Sequence, residues 1–533
     1  MKKRLIAFAL AGVFSVTALL SGCGNTAKEA QTQTTKEESK KQESKVPKTL
    51  IFAQGADPRG LDPAYVDDGE SAKVMCNIFE GLLQYKPDST AIEPCLATEW
   101  NISTDGKVYT FKLRQGVKFH DGTPFNADAV KFSVERQLPP NKIDDMPYAS
   151  FTFGLVEKVE KVDDYTVKFT LKEPNTPFLA NLAMSLAAPI VSPEAAKKYG
   201  DKFIENPVGT GPYKFIKWDK SQSITLEKNN DYWGSKAKTD KVVFKFTKEN
   251  SVRASELMTG AVDIIDGVDP NDVPKLEQSK MTIFKDKGMN INYMAFNCSR
   301  APFNDPKLRE AISYAINRDE LVKFLYQGFA EKADSPMPSF IPGHNSKVKP
   351  YEYNVDKAKA LLKELGKENL EVKMIAYSNP RPYNPVNGQK LAEAVQNYLA
   401  KVGIKAKIDV YPWTEYKQKT AQGEGDILFY GWVGDNGDAD NFLSLFDSNE
   451  IKSTLNVAKY VNPEVDKLLA KARAIPNGEE RNKVYQQMQE IVAKDAPWLP
   501  ISHAASMAAH SPKVKNFRVH PTGSVFLKDV DKE

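Results

Sequence analysis

The sequence has little net charge and, beyond its first segment, no long apolar run. Its 73 Lys and Arg residues nearly balance 69 Asp and Glu residues, which leaves a formal net charge of +4 in 533 residues. Nucleic-acid surfaces concentrate basic residues, and a membrane-spanning helix needs about 20 consecutive apolar residues. We therefore expect a body that folds outside the bilayer and binds no nucleic acid. Its hydrophobic content of 41% indicates a globular protein, and its length indicates more than one domain.

Sequence patterns of common catalytic sites are also missing. There is no Gly-x-Ser-x-Gly turn, no His-Glu-x-x-His pair and no phosphate-binding loop. No spacing typical of metal ligands is found among the five histidines, which are His120, His344, His503, His510 and His520. His120 precedes Asp121-Gly122, a dipeptide that predicts a turn after a strand. We therefore expect no enzyme activity, no cofactor and no metal.

Cysteine is scarce, and its number limits disulfide pairing. Besides Cys23, which is assigned to lipid below, the chain contains Cys76, Cys95 and Cys298. Three is an odd number, so at least one thiol stays unpaired within the chain. A Cys76–Cys95 disulfide is one alternative, but spacing alone does not decide it.

Residues 1–22 have the organisation of a secretory signal peptide. Basic residues at positions 2–4 precede an apolar run over residues 5–20, and Leu20-Ser-Gly-Cys23 follows. This order is typical of a bacterial lipobox, which predicts cleavage before Cys23 and acylation of its thiol. Each buried CH₂ of an acyl chain contributes roughly 0.8 kcal/mol to membrane binding. The alternative, a membrane-spanning helix, needs a longer apolar run of about 20 residues.

Residues 24–46 contain almost no apolar side chain. Such a segment cannot bury enough surface to offset its ordering entropy, so the sequence predicts a disordered tether. Its expected reach is about 25 Å.

Apolar periodicity predicts two regions of different secondary structure. Alternation predicts half-buried strands at residues 107–114, 165–171, 223–226 and 242–246. Later in the chain, periodic apolar residues predict three helices. The first begins at Pro306, the second spans residues 357–365 and the third spans residues 391–402. The last helix lies between predicted strands 372–377 and 404–410, which makes a β-α-β unit with parallel strands. We therefore predict an α/β protein with two lobes and a cleft for a ligand.

The segment Asp435-Asn-Gly-Asp438-Ala-Asp-Asn441 is rich in carboxylates. Counted from Asn436, it resembles the start of a calcium-binding loop. However, Asn441 stands where that loop requires Gly, and Asp447 stands where it requires Glu. The sequence therefore disfavours calcium.

Longer motifs carry a family resemblance. They are Ala97-Thr-Glu-Trp100, residues 104–122 (TDGKVYTFKLRQGVKFHDG), Gly209-Thr-Gly-Pro-Tyr-Lys-Phe215 and Arg309-Glu-Ala-Ile-Ser-Tyr-Ala-Ile-Asn-Arg318. Together they resemble the bacterial extracellular solute-binding proteins that serve peptide and nickel ABC importers, from about residue 48 to the end. The resemblance implies a two-lobed, periplasmic-binding-protein-like α/β fold of the large peptide-binding type, with an extra subdomain inserted in lobe I.

The expected boundaries follow from this resemblance and from the N-terminal pattern. They are a signal peptide at 1–22, a lipidated cysteine and tether at 23–46, lobe I at 47–82, 218–297 and 506–533, an inserted subdomain at 83–217, and lobe II at 298–505.

Two stretches resemble the dipeptide-binding branch of this family. They are Arg381-Pro-Tyr-Asn-Pro385 and residues 431–441 (GWVGDNGDADN). In that branch, the arginine pairs with the ligand carboxylate and the aspartate pairs with the ligand ammonium, roles that the resemblance transfers to Arg381 and Asp435. Arg381 follows the predicted strand at 372–377, and Asp435 follows a predicted strand at 426–430. Loops at strand carboxyl ends are where α/β sheets bind ligands. The alternatives are a solvated loop arginine and a turn-capping aspartate.

Three further positions are candidates for the same site. Trp413 matches a pocket-wall aromatic of the dipeptide branch, with core packing as an equal alternative. Gly55 and Gly434 are positions where a glycine backbone can approach a ligand closely. Val386 and Ala439 depart from the pattern of the branch beside the two charges.

The resemblance implies a function as well as a fold. We expect a monomeric, lipid-anchored extracytoplasmic protein that captures short peptides, in the first place dipeptides, and delivers them to ABC permease subunits after hinge closure. The alternatives that the sequence leaves open are haem, glutathione or longer oligopeptides as ligands, a sensor-coupled receptor and, more remotely, a secreted hydrolase.

Overall fold

A mixed sheet of twelve strands runs through the part of the chain that the computed structural model describes, residues 47–141, 145–349 and 351–533. The predicted signal peptide, Cys23 and the tether lie outside the described residues. Pro47–Glu533 forms one compact unit.

The strands, in chain order, are β1 Thr49–Gln54, β2 Leu83–Tyr85, β3 Ile92–Pro94, β4 Ala97–Ile102, β5 Val108–Leu113, β6 Val156–Asp163, β7 Thr166–Leu171, β8 Tyr213–Asp219, β9 Ser223–Lys228, β10 Lys241–Phe246, β11 Ile264–Asp266, β12 Thr282–Lys287, β13 Asn290–Phe296, β14 Ala330–Lys332, β15 Glu371–Tyr377, β16 Lys405–Tyr411, β17 Ile427–Val433, β18 Trp498–His510, β19 Val514–Lys515 and β20 Asp531–Lys532.

The α-helices are α1 Gly69–Met75, α2 Ala127–Glu135, α3 Ala149–Phe153, α4 Phe178–Asn181, α5 Pro193–Tyr199, α6 Asn250–Met258, α7 Val273–Gln278, α8 Pro306–Tyr314, α9 Arg318–Tyr326, α10 Val355–Glu364, α11 Gly388–Lys401, α12 Trp413–Ala421, α13 Asp440–Leu443, α14 Pro463–Ala474 and α15 Glu479–Asp495. Short 3₁₀ segments lie at Gly200–Glu205, Pro270–Asp272, Ser444–Phe446 and Ser448–Ile451.

The main path of the large sheet has the order β16-β15-β17-β13-β18-β11-β1-β10-β9-β8. Strand β12 and strand β14 pair with β18 beside this path. The sheet contains both parallel pairs, such as β1 with β10, and antiparallel pairs, such as β13 with β17. The predicted α/β class is therefore confirmed.

The predicted β-α-β unit is present. Strand β15 pairs in parallel with β16, and it also pairs in parallel with β17. Helix α11 connects β15 to β16 and buries Leu391, Val395 and Leu399, which recur at helical spacing. The helix begins after Asn387, whose side chain accepts a hydrogen bond from the Lys390 amide, so its N-terminus is capped.

The described residues form three large hydrophobic cores. One core uses residues from 289 to 501, a second uses residues 50–79, 186–264 and 508–530, and a third uses residues 82–190. The third core covers an antiparallel sheet of order β4-β5-β7-β6. In this sheet Tyr109, Phe111 and Leu113 are buried while their neighbours are more exposed, which confirms the predicted alternation.

Two of the predicted domain limits fall within strands. The limit at 217/218 divides β8, which pairs with β9 in the large sheet. The limit at 505/506 divides β18, which pairs with β13 at its start and with β11 at its end. Strand β18 thus joins the part of the large sheet that contains β13 to the part that contains β11 and β1.

We call residues 287–290 and 503–505 the crossover, because β12 continues into β13 here beside the middle of β18. The side-chain amide of Asn290 fastens the two segments together. Its Nδ2 donates to the Ala504 carbonyl over 2.8 Å, and its Oδ1 accepts from the Ala504 amide over 2.8 Å. A Cβ at Gly288 would lie 2.1 Å from the Ala504 oxygen, so the close approach requires glycine.

None of the helices in the described residues is long and apolar enough to cross a membrane. Cys76, Cys95 and Cys298 are all free thiols, so the Cys76–Cys95 disulfide is not formed. Burial raises the pKa of Cys76 to about 12 and that of Cys298 to about 11. Since the thiolate is the reactive form, both cysteines are chemically inert at neutral pH.

The close approach at Gly288 gives a test of the crossover. We expect Gly288→Ala to lower the free energy of unfolding by about 1–3 kcal/mol, because the added methyl group overlaps backbone that cannot move away easily. Gly69→Ala is the matched control, since a Cβ at Gly69 meets nothing within 4 Å. Urea denaturation measures both, and equal stability of the two variants would contradict the crossover packing.

Candidate functional site

Arg381 lies in a tight turn that follows β15. The Arg381 amide donates to the Asn384 carbonyl over 2.9 Å, and the Asn384 amide donates back over 2.8 Å. The buried Asn384 side chain donates to the Tyr377 hydroxyl over 2.9 Å and to the Asn387 carbonyl over 2.8 Å. The turn is therefore fixed at both ends, which holds the Arg381 backbone in a defined position.

The Arg381 guanidinium stacks on an aromatic ring and has no counter-ion among the described residues. Its carbon lies 4.2 Å from the centre of the Trp413 ring, which gives a cation–π contact. Its Nε is buried and has no hydrogen-bond partner within the described part of the chain. A buried donor without a partner is costly, so the turn provides a site for an acceptor such as a carboxylate.

Trp413 belongs to an aromatic cluster under the guanidinium. Its ring centre lies 5.5 Å from Tyr377, 5.8 Å from Tyr416 and 5.6 Å from Tyr430. Trp413 is half-buried. It packs against the core, and its ring also contacts the Arg381 guanidinium. Core packing and a wall position, the two alternatives for this residue, are thus compatible.

The sequence reasoning missed Tyr383. Its ring packs on Gly431, where a Cβ would lie 2.2 Å from Cδ2 of the tyrosine. Its hydroxyl is buried without a partner in the described residues, and burial raises its pKa above the usual value. Tyr383 therefore offers a second unused donor beside Arg381. Its position within the Arg-Pro-Tyr-Asn-Pro motif, two residues after Arg381, could have identified Tyr383 as a candidate site residue.

Asp435 follows β17 and is held by its own loop. Its amide donates to Oδ1 of Asn441 over 3.1 Å, and the same oxygen accepts from the Trp432 indole over 2.8 Å. The Asp435 carboxylate accepts from the Tyr148 hydroxyl over 3.1 Å through Oδ1. Its Oδ2 is buried and has no partner among the described residues. Burial raises the pKa of Asp435 to about 7.

Residues from the predicted inserted subdomain (83–217) cover the Asp435 loop. Besides Tyr148, the Tyr85 hydroxyl donates to the Asp435 carbonyl over 3.3 Å. Asn436 donates to Oδ1 of Asn181 over 2.7 Å. A Cβ at Gly437 would lie 1.7 Å from Oγ1 of Thr90. The loop is therefore enclosed on this side, and no sequence pattern predicts any of these contacts.

The other carboxylates of the Asp435 loop are neutralised by arginines. Asp438 accepts two hydrogen bonds from Arg481, of 2.6 and 2.9 Å. Asp440 pairs with Arg473 over 2.8 Å, and Arg473 also reaches Asp447 over 3.2 Å. No group of metal-ligating side chains occurs in the residues that the structure describes. The carboxylates of this loop other than Asp435 thus belong to an ion-pair network.

The two candidate glycines have different surroundings. Gly434 is buried between Met289 and Phe442, and a Cβ there would lie 2.7 Å from Phe442. Its amide donates to the Met289 carbonyl over 2.7 Å, which sets the direction of the chain into Asp435. Gly55 lies beside Arg253, and a Cβ at Gly55 would lie 3.4 Å from Nη1 of that arginine. No described hydrogen bond links Gly55 to Arg381 or Asp435.

His120 lies in the turn that its sequence predicts. The Gly122 amide donates to the Phe119 carbonyl over 2.9 Å, and Gly122 has a φ of 87°. The His120 Nε2 contacts the Gly211 carbonyl over 2.9 Å, so the ring has a structural role.

Comparison with known proteins identifies the family of the chain. The family of bacterial extracellular solute-binding proteins, family 5 Middle, matches residues 91–454. The chain is 36% identical to heme-binding protein A of Haemophilus influenzae, over 89% of the chain and 90% of that protein. It is also 36% identical to the dipeptide-binding protein of Escherichia coli, over 91% of the chain and 95% of that protein.

A solved structure extends this similarity to the fold. The periplasmic binding protein DppA of Helicobacter pylori, in complex with the peptide STSA, is 38% identical and superimposes with a TM-score of 0.81. The superposition covers 91% of this chain and 98% of that one, which confirms the two-lobed fold of the peptide-binding type. The chain therefore belongs to the bacterial extracellular solute-binding proteins of family 5, which are substrate-binding proteins of ABC transporters and not enzymes.

Proposed function

We propose that this extracytoplasmic protein captures dipeptides through their two terminal charges and presents them to an ABC permease. The observation that carries the proposal is a pair of opposite charges that lack partners: the Nε of Arg381 and the Oδ2 of Asp435 are both buried and unbonded within the described chain. A peptide zwitterion supplies a carboxylate for the first and an ammonium for the second.

The chemistry at Arg381 suits a carboxylate. A guanidinium can donate two parallel hydrogen bonds to the two carboxylate oxygens, which fixes orientation as well as charge. The stack on Trp413, at 4.2 Å, holds the plane of the guanidinium. The unused Tyr383 hydroxyl provides a further donor from the same turn. Both donors suit the carboxylate, which is a constant end of any peptide ligand.

The chemistry at Asp435 suits an ammonium. Tyr148 already occupies Oδ1, so Oδ2 is the acceptor that remains for the ligand. Because Tyr148 lies 287 residues before Asp435 in the chain, the anchor for the ligand is assembled from two separate regions. Closure of such a cleft around a ligand is a hinge motion, and here it would bring Tyr148 against Asp435.

The separation of the two charges explains selection by length. Arg381 and Asp435 follow β15 and β17, which pair in one sheet, so their separation is fixed by one rigid element. An extra residue lengthens an extended peptide by about 3.3–3.6 Å. One of its charges would then stay buried and unpaired, which costs several kcal/mol.

The names of the relatives indicate other ligands that compete with a dipeptide. The relative from Haemophilus influenzae is named for haem, and the Helicobacter pylori structure contains a four-residue peptide. Haem binding commonly uses a histidine as axial ligand. His120, His503 and His520 each contact a backbone carbonyl, and no described hydrogen bond links any of them to Arg381 or to the Asp435 carboxylate. The two unpaired charges favour a zwitterionic peptide over haem, and their fixed separation favours a dipeptide over a longer peptide.

Membrane attachment is part of the proposal. Acylation of Cys23 would anchor the protein, and residues 24–46 would let the body move at about 25 Å from the bilayer. A monomer suffices for this role, because both charges come from one chain.

Removal of Arg381 tests the carboxylate anchor. We expect Arg381→Ala to weaken Ala-Ala binding at least about 30-fold, since truncating one partner of a buried charge pair costs about 2–5 kcal/mol. Arg518→Ala, at an exposed arginine, is the matched control and should bind normally. Calorimetric titration measures both, with thermal unfolding to verify the fold. Normal affinity of Arg381→Ala would contradict the assignment.

The pKa of Asp435 predicts a pH dependence of binding. The free carboxyl titrates at about 7, and an ammonium ligand binds only its ionised form. Below pH 7 a proton must leave before the ligand binds, so Ala-Ala affinity should fall toward tenfold per pH unit between pH 7 and pH 5. Calorimetry across this range measures the slope. A constant affinity would contradict an ammonium at Asp435.

Asp435→Asn should stabilise the ligand-free protein while it abolishes dipeptide binding. The folded pKa of about 7 lies above the usual value of 3.8, so the carboxyl lowers stability progressively as pH rises from about 4 to 7, and the loss is complete above pH 7. We expect the largest gain in thermal midpoint for the variant at pH 8, a smaller gain near pH 5 and none below about pH 4. Asp529→Asn, at an exposed carboxylate, should shift neither midpoint. If Asp435→Asn instead lowered the thermal midpoint at pH 8, the Asp435 carboxylate would stabilise the fold, and the assignment to ligand binding would be contradicted.

A further inference from the structure

The predicted inserted subdomain (83–217) and lobe II (298–505) meet through polar contacts. Their apolar cores are separate, since the core of residues 82–190 shares no residue with the core of residues 289–501. Among the described residues, the hydrogen bonds between these two regions lie at two places, the Asp435 loop and the segment 473–475. Polar interfaces within a chain resemble transient ones, and the parts that they join can move relative to each other. The two regions can therefore separate without opening an apolar core.

A hydrogen bond between two buried asparagines lies at the centre of the first place. Nδ2 of Asn436 donates to Oδ1 of Asn181 over 2.7 Å. Asn181 is only 2% exposed and Asn436 only 1%. If one of the two amides were removed, the other would stay buried without a partner, which costs more than the hydrogen bond itself contributes. The pair is therefore sensitive to the loss of either member.

Each of the two amides is also oriented by its own region. Nδ2 of Asn181 donates to the Phe151 carbonyl over 3.3 Å, which leaves its oxygen for the other region. Oδ1 of Asn436 accepts from the Asp438 amide over 2.9 Å, which leaves its NH₂ group. Each side chain thus presents the group that the other one needs.

The second place is formed by Thr176. Its amide donates to the Arg473 carbonyl over 2.9 Å, and its hydroxyl donates to the Ile475 carbonyl over 2.8 Å. We call the Asn181–Asn436 hydrogen bond and these two hydrogen bonds of Thr176 the clasp. The clasp joins the inserted subdomain to lobe II on the side of the Asp435 loop.

The same side covers the Asp435 carboxylate. Oδ2 of Asp435, the acceptor that remains for an ammonium, is buried, and Tyr148 donates to Oδ1. The Tyr85 hydroxyl reaches the Asp435 carbonyl and also lies 2.8 Å from the carbonyl of Ala180, the residue before Asn181. A ligand group therefore reaches or leaves Oδ2 only when these residues move away. Because they belong to the region that contains Asn181, the clasp must open in that movement.

We propose that the clasp retains the ligand, with Asn181 and Asn436 as positioning residues that hold the cover on Asp435, so that breaking their hydrogen bond limits ligand release. The proposal rests on the proposed function, in which Asp435 is a ligand anchor. Both amides are bonded within the protein, so the clasp does not distinguish between peptide side chains. It prolongs the binding of every dipeptide by the same factor.

Asn181→Leu in the whole protein tests the clasp, because leucine keeps the size of the side chain and removes the acceptor for Asn436. Labelled Ala-Ala, chased with excess unlabelled Ala-Ala, should dissociate about tenfold faster from the variant, since Asn436 keeps a buried donor without a partner. The association rate should change little. Asn101→Ala, at an exposed asparagine of the same subdomain, is the control and should release Ala-Ala at the wild-type rate. An unchanged dissociation rate in Asn181→Leu would overturn the proposal.

A double variant shows whether the two asparagines act as a pair. Asn436→Leu alone should also release Ala-Ala about tenfold faster. Asn181→Leu combined with Asn436→Leu should release it no faster than the faster single variant, because two apolar groups leave no buried polar group unpaired. Independent effects would multiply to about 100-fold and would rule out a clasp. The preference for Ala-Ala over N-acetyl-Ala-Ala should stay at the wild-type ratio in all three variants, which a loss of the charge anchors would change.

Hydrogen exchange without any peptide separates failure of the clasp from failure of the proposed function. The amides of residues 434–438 should exchange faster in Asn181→Leu than in the wild type or in Asn101→Ala, because the cover opens more often. If the wild type does not bind Ala-Ala but this acceleration occurs, the dipeptide proposal is wrong and the clasp stands. Equal exchange in the three proteins overturns the clasp, whether or not dipeptides bind.

Discussion

The proposed site depends on two groups of opposite charge that lack counter-ions among the described residues, Arg381 and Asp435. The Nε of Arg381 and the Oδ2 of Asp435 are both desolvated and unpaired in the described chain, a state that costs free energy. Parallel pairing of β15 with β17 keeps the two loops on one rigid element. The Asn384 hydrogen bonds fix the first loop, and Asn441 fixes the second. Much of the surrounding structure thus serves to hold the two charges in place.

The loop of Asp435 illustrates how the charge is kept unpaired among other carboxylates. Arg481 neutralises Asp438, and Arg473 neutralises Asp440. Asp435 forms no ion pair within the described chain and accepts from the hydroxyl of Tyr148. Burial raises its pKa to about 7, and the hydrogen bonds of Tyr148 and Asn441 offset only part of that rise. An unpaired buried carboxyl lowers the free energy of unfolding of the ligand-free protein. On the proposed function, a ligand that brings an ammonium would offset this cost.

Local patterns predicted most of the elements that position the site. Alternation identified β5 and β7, and helical spacing identified α11 between β15 and β16, because one face of each is buried in a core. Motif resemblance supplied Arg381 and Asp435. The contacts of Tyr85 and Tyr148 with Asp435 could not be predicted, since they join residues about 300 positions apart and neither tyrosine has a local signature. The crossover escaped prediction for the same reason, because the role of Asn290 exists only through Ala504.

The length of the bound peptide is the most direct measure of the two-charge account. The measurement is calorimetric titration of a soluble form that begins after Cys23, unfolded and refolded to remove carried-over ligand, with Ala-Ala, Ala-Ala-Ala, Ala-Ala amide and N-acetyl-Ala-Ala. The account predicts that Ala-Ala binds at least about 30-fold more tightly than the other three, because each of them leaves one of the two charged groups unpaired. Equal binding of the tripeptide, or of either blocked dipeptide, would contradict it.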